Sequence, residues 1–357
     1  MPDIPITIGI SGIHASVNCR KRDYIKAPFK KQCISAIIVA VKEQSMNAGT
    51  VVFFGTTDYA CAVLNALLED GYDVRAAVCQ PDRPVGRKRV MHAPEVKKLA
   101  EEKGIRVLQP EKLSLNPEQI LELNPDLIIT CAYGQLIPVS ILNAPKYGCF
   151  NIHPSALPKY RGGAPIQRAV MNGDRTTEVC LMAMAEKMDS GDVFARLPAE
   201  IGDDETASEL FERLKEHAAL LIHEYLPKVL DGSLKGEKQD ESKVVIAPNI
   251  RREEERVSFR DEPIAELYNH LRGLIEEPMG YGVLEGKRIK FANVRMQSGM
   301  AKEAPGTIAG FADHAMKIAA NGGYLLVYEL QMEGKSRMSA DAFGNGAGRQ
   351  LTGKVFD

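Results

Sequence analysis

Two side chains of matched chemistry stand close together in Asn151-Ile152-His153-Pro154-Ser155, at the end of an apolar run that starts at Gly148. Read as a strand, the run turns alternate side chains to opposite faces, so Asn151 and His153 point the same way. In an open α/β sheet, ligands bind at the C-terminal ends of the strands. Asn supplies an amide donor, and His a donor that can also exchange a proton near neutral pH. Two donors converging on one point suit an oxygen that gains negative charge during acyl transfer. The plainer reading is a strand-end Asn and His satisfied by neighbouring backbone. The residues C-terminal to the pair favour the chemical reading. The run Ser155-Ala156-Leu157-Pro158-Lys159-Tyr160-Arg161-Gly162-Gly163-Ala164-Pro165 fits neither helix nor central strand, and a long irregular loop beside a strand-end His is where substrates are usually gripped. Met188-Asp189-Ser190-Gly191-Asp192 then places a carboxylate in a turn, although Asp and Gly are ordinary turn residues. A carboxylate near His153 would favour its imidazolium form and fix its orientation.

A second chemistry lies upstream. Arg83, Arg87, Lys88 and Arg89, with Pro84 and Gly86 among them, make an exposed, bendable cationic arm. Alone, such a run is most simply a solvated loop. No His, Cys and carboxylate cluster has ligand spacing, so no metal is expected.

The elements that must carry these residues follow a strand, turn, helix rhythm from residue 50. Thr50 to Phe54 reads as a strand ending at Gly55. Asp58 can cap a helix bearing Ala60, Val63, Leu64, Leu67 and Leu68, which Gly71 stops. Val74 to Cys79, Asp126 to Cys131 and Gly148 to Asn151 read as further strands, and Pro94 to Glu102 as an amphipathic helix. Continuous apolar strands alternating with helices predict a parallel sheet covered on both faces. Thr206-x-x-Glu209 is a capping box before a helix whose stripe is Leu210, Leu214, Leu221 and Tyr225. Charge density marks 235–255 as a linker. Beyond it, residues 282–291 read as a hairpin, and Gly306 to Ile308, Met316 to Ala319 and Tyr324 to Leu330 as strands of a small, mostly antiparallel barrel. The expected organisation is an extension over 1–46, a catalytic domain over 47–234, the linker, and a C-terminal barrel over 256–357. Poor periodicity and seven early cations suggest that Met46 is the natural start and that the residues before it are a gene-model extension or a loosely attached tail.

Composition bounds the rest. With 357 residues, 45% hydrophobic and 26% charged, the chain suits a two-domain globular protein and is not wholly disordered. No apolar run approaches the roughly 20 residues that cross a bilayer. A formal net charge of −2 excludes a blanket basic coat, so a nucleic-acid partner would need a local patch. Seven scattered cysteines without a C-x-x-C pair argue for a reducing, cytoplasmic setting.

From about Thr50 to the C-terminus the chain resembles the formyltetrahydrofolate-dependent formyltransferases, and specifically the methionyl-tRNA formyltransferase family. The residues that carry this are Val51 to Ala60, Gln80-Pro81-Asp82-Arg83-Pro84-Val85-Gly86-Arg87-Lys88, Ala132 to Gln135, Asn151 to Ile166, Met188 to Asp192, and Gln331-Met332-Glu333-Gly334-Lys335-Ser336-Arg337-Met338. The 80–88 and 331–338 blocks are the ones more specific to the tRNA enzyme.

The resemblance implies a Rossmann-like α/β N-terminal domain and a small OB-like C-terminal barrel. It also implies transfer of a formyl group from 10-formyltetrahydrofolate to the α-amine of methionyl initiator tRNA, by a cytoplasmic enzyme expected to be a monomer. Asn151 and His153 would stabilise the oxyanion. Asp189 would orient and charge His153 and assist proton transfer. Ser155, Ala156, Leu157 and Pro158, with the loop at Tyr133 and Gly134, would bind the folate. Arg83, Arg87, Lys88 and Arg89 would enter the acceptor end of the tRNA, with Arg87 foremost. Lys287, Arg288, Lys290, Arg295, Lys335 and Arg337 could form a second phosphate-facing surface, although residues 256–357 hold 13 Lys+Arg against 12 Asp+Glu, so attraction must come from clustering. Rival readings are weaker. A formyltransferase acting on a nucleotide-sugar amine or glycinamide ribonucleotide has no reason to carry both the arm and the barrel. A nicotinamide oxidoreductase lacks its G-x-G-x-x-G at Gly55-Thr56-Thr57-Asp58. A non-catalytic tRNA-binding module leaves Asn151, His153 and Asp189 unexplained.

Overall fold

The computed structural model describes residues 4–10, 13–19, 49–85 and 89–357. Near the N-terminus, β1 (Ile4–Ile10) and β2 (Ile13–Cys19) pair antiparallel, from Ile4 opposite Cys19 to Ile10 opposite Ile13. This pairing is internal to the segment expected to be an extension or loosely attached tail. The β-branched alternation of Ile4, Ile6 and Ile8 accounts for it. The remainder of the 1–46 segment, Met46, Arg87 and Lys88 lie outside the described residues.

The main sheet is built from β3 (Thr50–Gly55), β4 (Asp73–Val78), β7 (Arg106–Leu108), β8 (Leu127–Cys131), β9 (Cys149–His153), β10 (Thr176–Ala183) and β11 (Val193–Glu200). Its spatial order is β11-β10-β9-β8-β3-β4-β7. The strands from β9 to β7 are mutually parallel. β10 and β11 are antiparallel additions at the edge, so the sheet is mixed and not wholly parallel. An antiparallel edge on a parallel sheet is an ordinary arrangement, because the buried centre needs crossover connections and the edge does not. β5 (Arg83–Val85) and β6 (Val90–His92) form a separate two-stranded hairpin that carries the cationic arm.

Alternation along β3 explains why the centre is apolar throughout. Val51 and Phe53 enter one core with Tyr59, Val63, Leu64 and Leu67 of α1 (Asp58–Glu69) and Leu210 and Leu214 of α6 (Ala207–Leu220). Val52 and Phe54 enter another core with Val78, Ile128 and Tyr133. Asp58 is the first residue of its helix, and Thr57, with extended backbone, occupies the cap position expected for Asp58. The Thr206/Glu209 capping box forms as expected. Between α1 and α6 run α2 (Glu95–Glu102), α3 (Glu118–Leu121), α4 (Val139–Leu142) and α5 (Pro165–Met171). A single π-type turn at Leu221–Tyr225 links α6 to α7 (Leu226–Leu230).

Residues 235–249 lie against the main sheet's loops. Glu237 exchanges both backbone hydrogen bonds with Val193, at 2.9 and 2.8 Å. Arg161 N–H donates to Val245 O at 3.0 Å, and Ala247 N–H to Arg161 O at 2.7 Å. The C-terminal sheet follows α8 (Ile264–Leu274). It comprises β12 (Tyr281–Leu284), β13 (Lys287–Ser298), β14 (Ile308–Ala312), β15 (Ala315–Ala320) and β16 (Gly323–Met332), with β17 (Met338–Ser339) beside β16 and α9 (Ala340–Asn345) after it. The order is β12-β13-β16-β15-β14, all antiparallel. The last residues bridge the open edges: Ile308 N–H donates to Lys354 O, Phe356 N–H to Gly306 O, and Asp357 N–H to Val283 O. Phe356 is buried against Phe259 and Phe291, so the tail is anchored by side chain as well as backbone.

Candidate active site

Parallel registration of β8 and β9 sets Thr130 opposite Asn151 at the strands' C-terminal ends. The buried Thr130 hydroxyl donates to Asn151 Oδ1 at 2.8 Å. That bond orients the amide. With the oxygen held by Thr130, Nδ2 is the end presented away from β8, and among the described residues no protein group accepts from it.

Two residues on, His153 is 5% exposed. Its Nε2 lies 3.0 Å from Tyr160 O. A carbonyl can only accept, so Nε2 carries a proton and donates it, and Nδ1 is the nitrogen left for exchange. Nδ1 faces Asp189, whose Oδ2 is 3.8 Å away. That separation is too long for a direct hydrogen bond but within ion-pair distance. Asp189 Oδ2 also accepts from Gly162 N–H at 2.9 Å. The 184–192 loop between β10 and β11 brings Asp189 here, with Asp189 itself in the left-handed region at φ 49°. Gly191 permits the fold-back, since a β-carbon on it would stand 2.0 Å from Ala183 O.

The 155–164 loop is braced from beneath. Ser155 is fully buried, and its hydroxyl donates to Lys159 O at 2.8 Å. Leu157 packs with Cys180, Met182 and Val193. Arg196 donates to Leu157 O at 2.6 Å. The Ser155 and Leu157 side chains therefore shape the loop, and Ala156, Pro158 and the backbone are what it offers outward. Cys180 donates to Ser155 O at 3.0 Å, and burial pushes its thiol up to about 12, which makes it a structural group and no nucleophile. On the neighbouring loop, Tyr133 O accepts from Thr56 Oγ1 at 2.9 Å and Gln80 Nε2 at 3.1 Å. The Tyr133 ring stacks edgewise on Phe54, with its hydroxyl buried, and Gly134 is exposed at φ 90°. Gln109 Nε2 donates to Gln80 O, which ties a third loop to these two.

The cationic positions are dispersed. Arg83 is exposed on β5 and paired with Glu111 at 2.9 Å, and Arg89 is exposed at the hairpin turn. In the C-terminal sheet Arg288 pairs with Glu333 at 3.0 Å, and Arg337 with Glu329 at 2.6 Å. Lys290 Nζ donates to Pro278 O at 2.8 Å, and Arg295 lies 3.9 Å from Asp204. Lys287 and Lys335 are exposed and have no carboxylate partner within ion-pair distance among the described residues. Among those residues no three His, Cys, Asp or Glu groups converge as metal ligands, and no helix is long and apolar enough to cross a membrane.

Sequence reasoning gave no role to Thr130, to Arg161, which it named only as part of the 155–165 loop, or to Gln239, whose amide donates to Asp189 O at 2.8 Å. Thr130 needs the β8–β9 register, and Gln239 is hidden in a run whose charge density suggests a linker.

A family model described as Formyl transferase matches residues 49–230. A second, described as Formyl transferase, C-terminal domain, matches residues 249–348. Together with the fold and the strand-end site, these define a two-part formyl transferase. A methionyl-tRNA formyltransferase of Bacillus velezensis is 44% identical over 299 residues, covering 83% of this chain and 94% of its own. That of Bacillus subtilis is 42% identical over 300 residues, covering 83% and 94%. The chain belongs to the methionyl-tRNA formyltransferase family. The fold is shared with an N-formyltransferase from Helicobacter canadensis solved with folinic acid and dTDP-3-aminofucose, at TM-score 0.61 and 17% identity over 79% of this chain and 98% of that one. It is shared too with HypX from Aquifex aeolicus, at TM-score 0.59 and 18% identity over 85% of this chain and 50% of that one.

Proposed function

We propose that the protein transfers the formyl group of 10-formyltetrahydrofolate to the α-amine of methionyl initiator tRNA. The observation that carries this reading is the 44% identity to a methionyl-tRNA formyltransferase over 83% of the chain. The site supplies a matching arrangement. As the amine nitrogen attacks the formyl carbon, the carbonyl electron pair moves onto oxygen. Asn151 Nδ2, oriented by Thr130, and the Nδ1 proton of His153 stabilise that oxyanion. Asp189 orients His153, accepts the proton the attacking amine loses, and returns one to the folate nitrogen as its bond to carbon breaks. The proton count is conserved across the transfer.

In this reading 47–234 is the catalytic part, 235–255 the connection and 256–357 the tRNA-binding part. The 155–158 loop with Tyr133 and Gly134 receives the folate. Arg83, Arg87, Lys88 and Arg89 engage the acceptor end of the tRNA, where guanidinium geometry suits phosphate and base alike. Lys287, Arg288, Lys335 and Arg337 face the tRNA backbone, with Lys287 and Lys335 as the readier contacts because Arg288 and Arg337 already hold acids.

The test is incubation of purified protein with 10-formyltetrahydrofolate and charged initiator tRNA, reading formylmethionine. Asn151→Ala and His153→Ala should fold, by circular dichroism, and lose about 10²–10³ in turnover. Near-normal turnover in either would remove that residue from the mechanism. A wild type that formylates an amino sugar nucleotide and leaves the tRNA untouched would replace the acceptor.

A further inference from the structure

The connecting segment and the catalytic turn meet at one amide. Gln239 Nε2 donates to Asp189 O at 2.8 Å and to Gly191 O at 2.7 Å. Its Oε1 accepts from Arg161 Nε at 3.0 Å and Nη2 at 2.9 Å. Carbonyls cannot donate and a guanidinium cannot accept, so the amide has only this orientation, with both donors and both lone pairs in use. Arg161 is 5% exposed, and Glu241 completes its partners at 2.7 Å.

The placement has a consequence for Asp189. Its carboxylate is fixed by two things: the turn it stands on, at φ 49°, and the N–H of Gly162. Gln239 closes the first by gripping carbonyls on either side of Ser190. The second is set by the backbone of the same segment, since Ala247 N–H donates at 2.7 Å to Arg161 O, on the peptide that carries the Gly162 N–H, while Gln239 holds the Arg161 guanidinium. Both restraints on the carboxylate therefore trace to the 235–249 segment, the first of them to the Gln239 side chain. That segment is itself tied to Val193 at one end and to Arg161 at the other. We propose that Gln239 is a positioning residue that holds Asp189 against His153 for formyl transfer, so that the connecting segment is part of the catalytic framework. This rests on the functional reading above.

The experiment measures kcat and KM for both substrates in wild type, Gln239→Ala, Gln239→Glu, Asp189→Ala and the Gln239→Ala/Asp189→Ala double variant. Hydrogen exchange over residues 187–192 is followed in parallel. Misplacing a catalytic group by about 1 Å can cost 10²-fold, so Gln239→Ala should lose about 10–100-fold in kcat with both KM values little changed. Exchange at 187–192 should quicken. Gln239→Glu keeps an acceptor for Arg161 but loses the donors to the two carbonyls, and should be as slow as Gln239→Ala. In the Asp189→Ala background the Gln239 change should cost almost nothing further, because a residue acting through another has no effect once that one is gone. Where Asp189→Ala is slower than wild type but still measurable, the inference is overturned by normal kcat in Gln239→Ala, recovery in Gln239→Glu, unchanged exchange, or losses that add in the double variant. An Asp189→Ala variant as fast as wild type overturns it outright. A wild type that transfers no formyl group overturns the functional reading, and this inference with it.

Discussion

In the proposed reaction the Thr130 hydroxyl, by donating to Asn151 Oδ1, leaves the Nδ2 end of that amide for the substrate. An amide can turn over about its last side-chain bond with almost no change in shape, and the turned form would present an oxygen to a developing oxyanion. Thr130→Val removes the bond while keeping volume, so it should lower turnover about tenfold, the smaller end of what a supporting hydrogen bond gives at a reactive site. Thr130→Ser retains the hydroxyl and should restore most of the rate. Steady-state formylation beside a thermal melt separates this from a folding defect: unchanged turnover in folded Thr130→Val would mean that the amide is held some other way. His153 is fixed by the same logic at Tyr160 O, where a backbone acceptor leaves only Nδ1 to work with.

At the scale of elements, the candidate site is a strand end met by a folded-back loop, and close packing makes that loop intolerant. A methyl on Gly191 would fall 2.0 Å from Ala183 O, a backbone atom that cannot swing away. Gly191→Ala should therefore displace the 184–192 loop, costing about 1–3 kcal/mol in stability and up to about 10²-fold in turnover. Chemical unfolding and the transfer assay read the two effects, and an unaffected variant would show the loop to be looser than its packing. The same geometry explains what could be read from the sequence. Asn151 and His153 share a face because alternation along one strand is a local property. The parallel centre of the sheet, the Thr206/Glu209 box and the hairpin read over 282–291 are likewise written in neighbouring residues. The approach of Asp189 to His153 was not, since it depends on an antiparallel edge strand and a turn 36 positions downstream of the imidazole. Nor was the docking of 235–249, where lysines and carboxylates hide one amide with four partners.

Across the whole molecule, a tRNA substrate should impose a steep fall in affinity as salt rises, because phosphate contacts displace counterions, and filter binding between 50 and 200 mM salt checks this. Two parts must also stay in register for one ligand to reach both. Their joint is polar and, in part, titratable. Arg168 on α5 grips Glu254 at 2.5 and 3.1 Å, and His270 on α8 binds Glu262 at 3.0 Å and the carbonyl of Glu254 at 2.7 Å. The Arg168 hydrogen bonds, working against burial, hold the Glu254 carboxyl down to about 2 from 4.5. For His270, burial pulls its pKa down, but the bonds to Glu262 and Glu254 outweigh it and the net shift is upward from 6.5. The signs are opposite. Glu254's contribution is full above about 4.5 and disappears as pH falls from there toward 2. His270's is full below 6.5 and disappears as pH rises through its raised value. The joint should therefore be firmest between about pH 4.5 and 6.5. Glu254→Gln should cost about 1–3 kcal/mol at pH 6, and the gap to wild type should narrow below pH 4.5. His270→Gln should instead be most harmful below pH 6.5 and approach wild type in alkali. Thermal unfolding of the three proteins from pH 3 to 9 tests both directions at once. A constant offset for either variant would show that the charge of that residue adds nothing to stability.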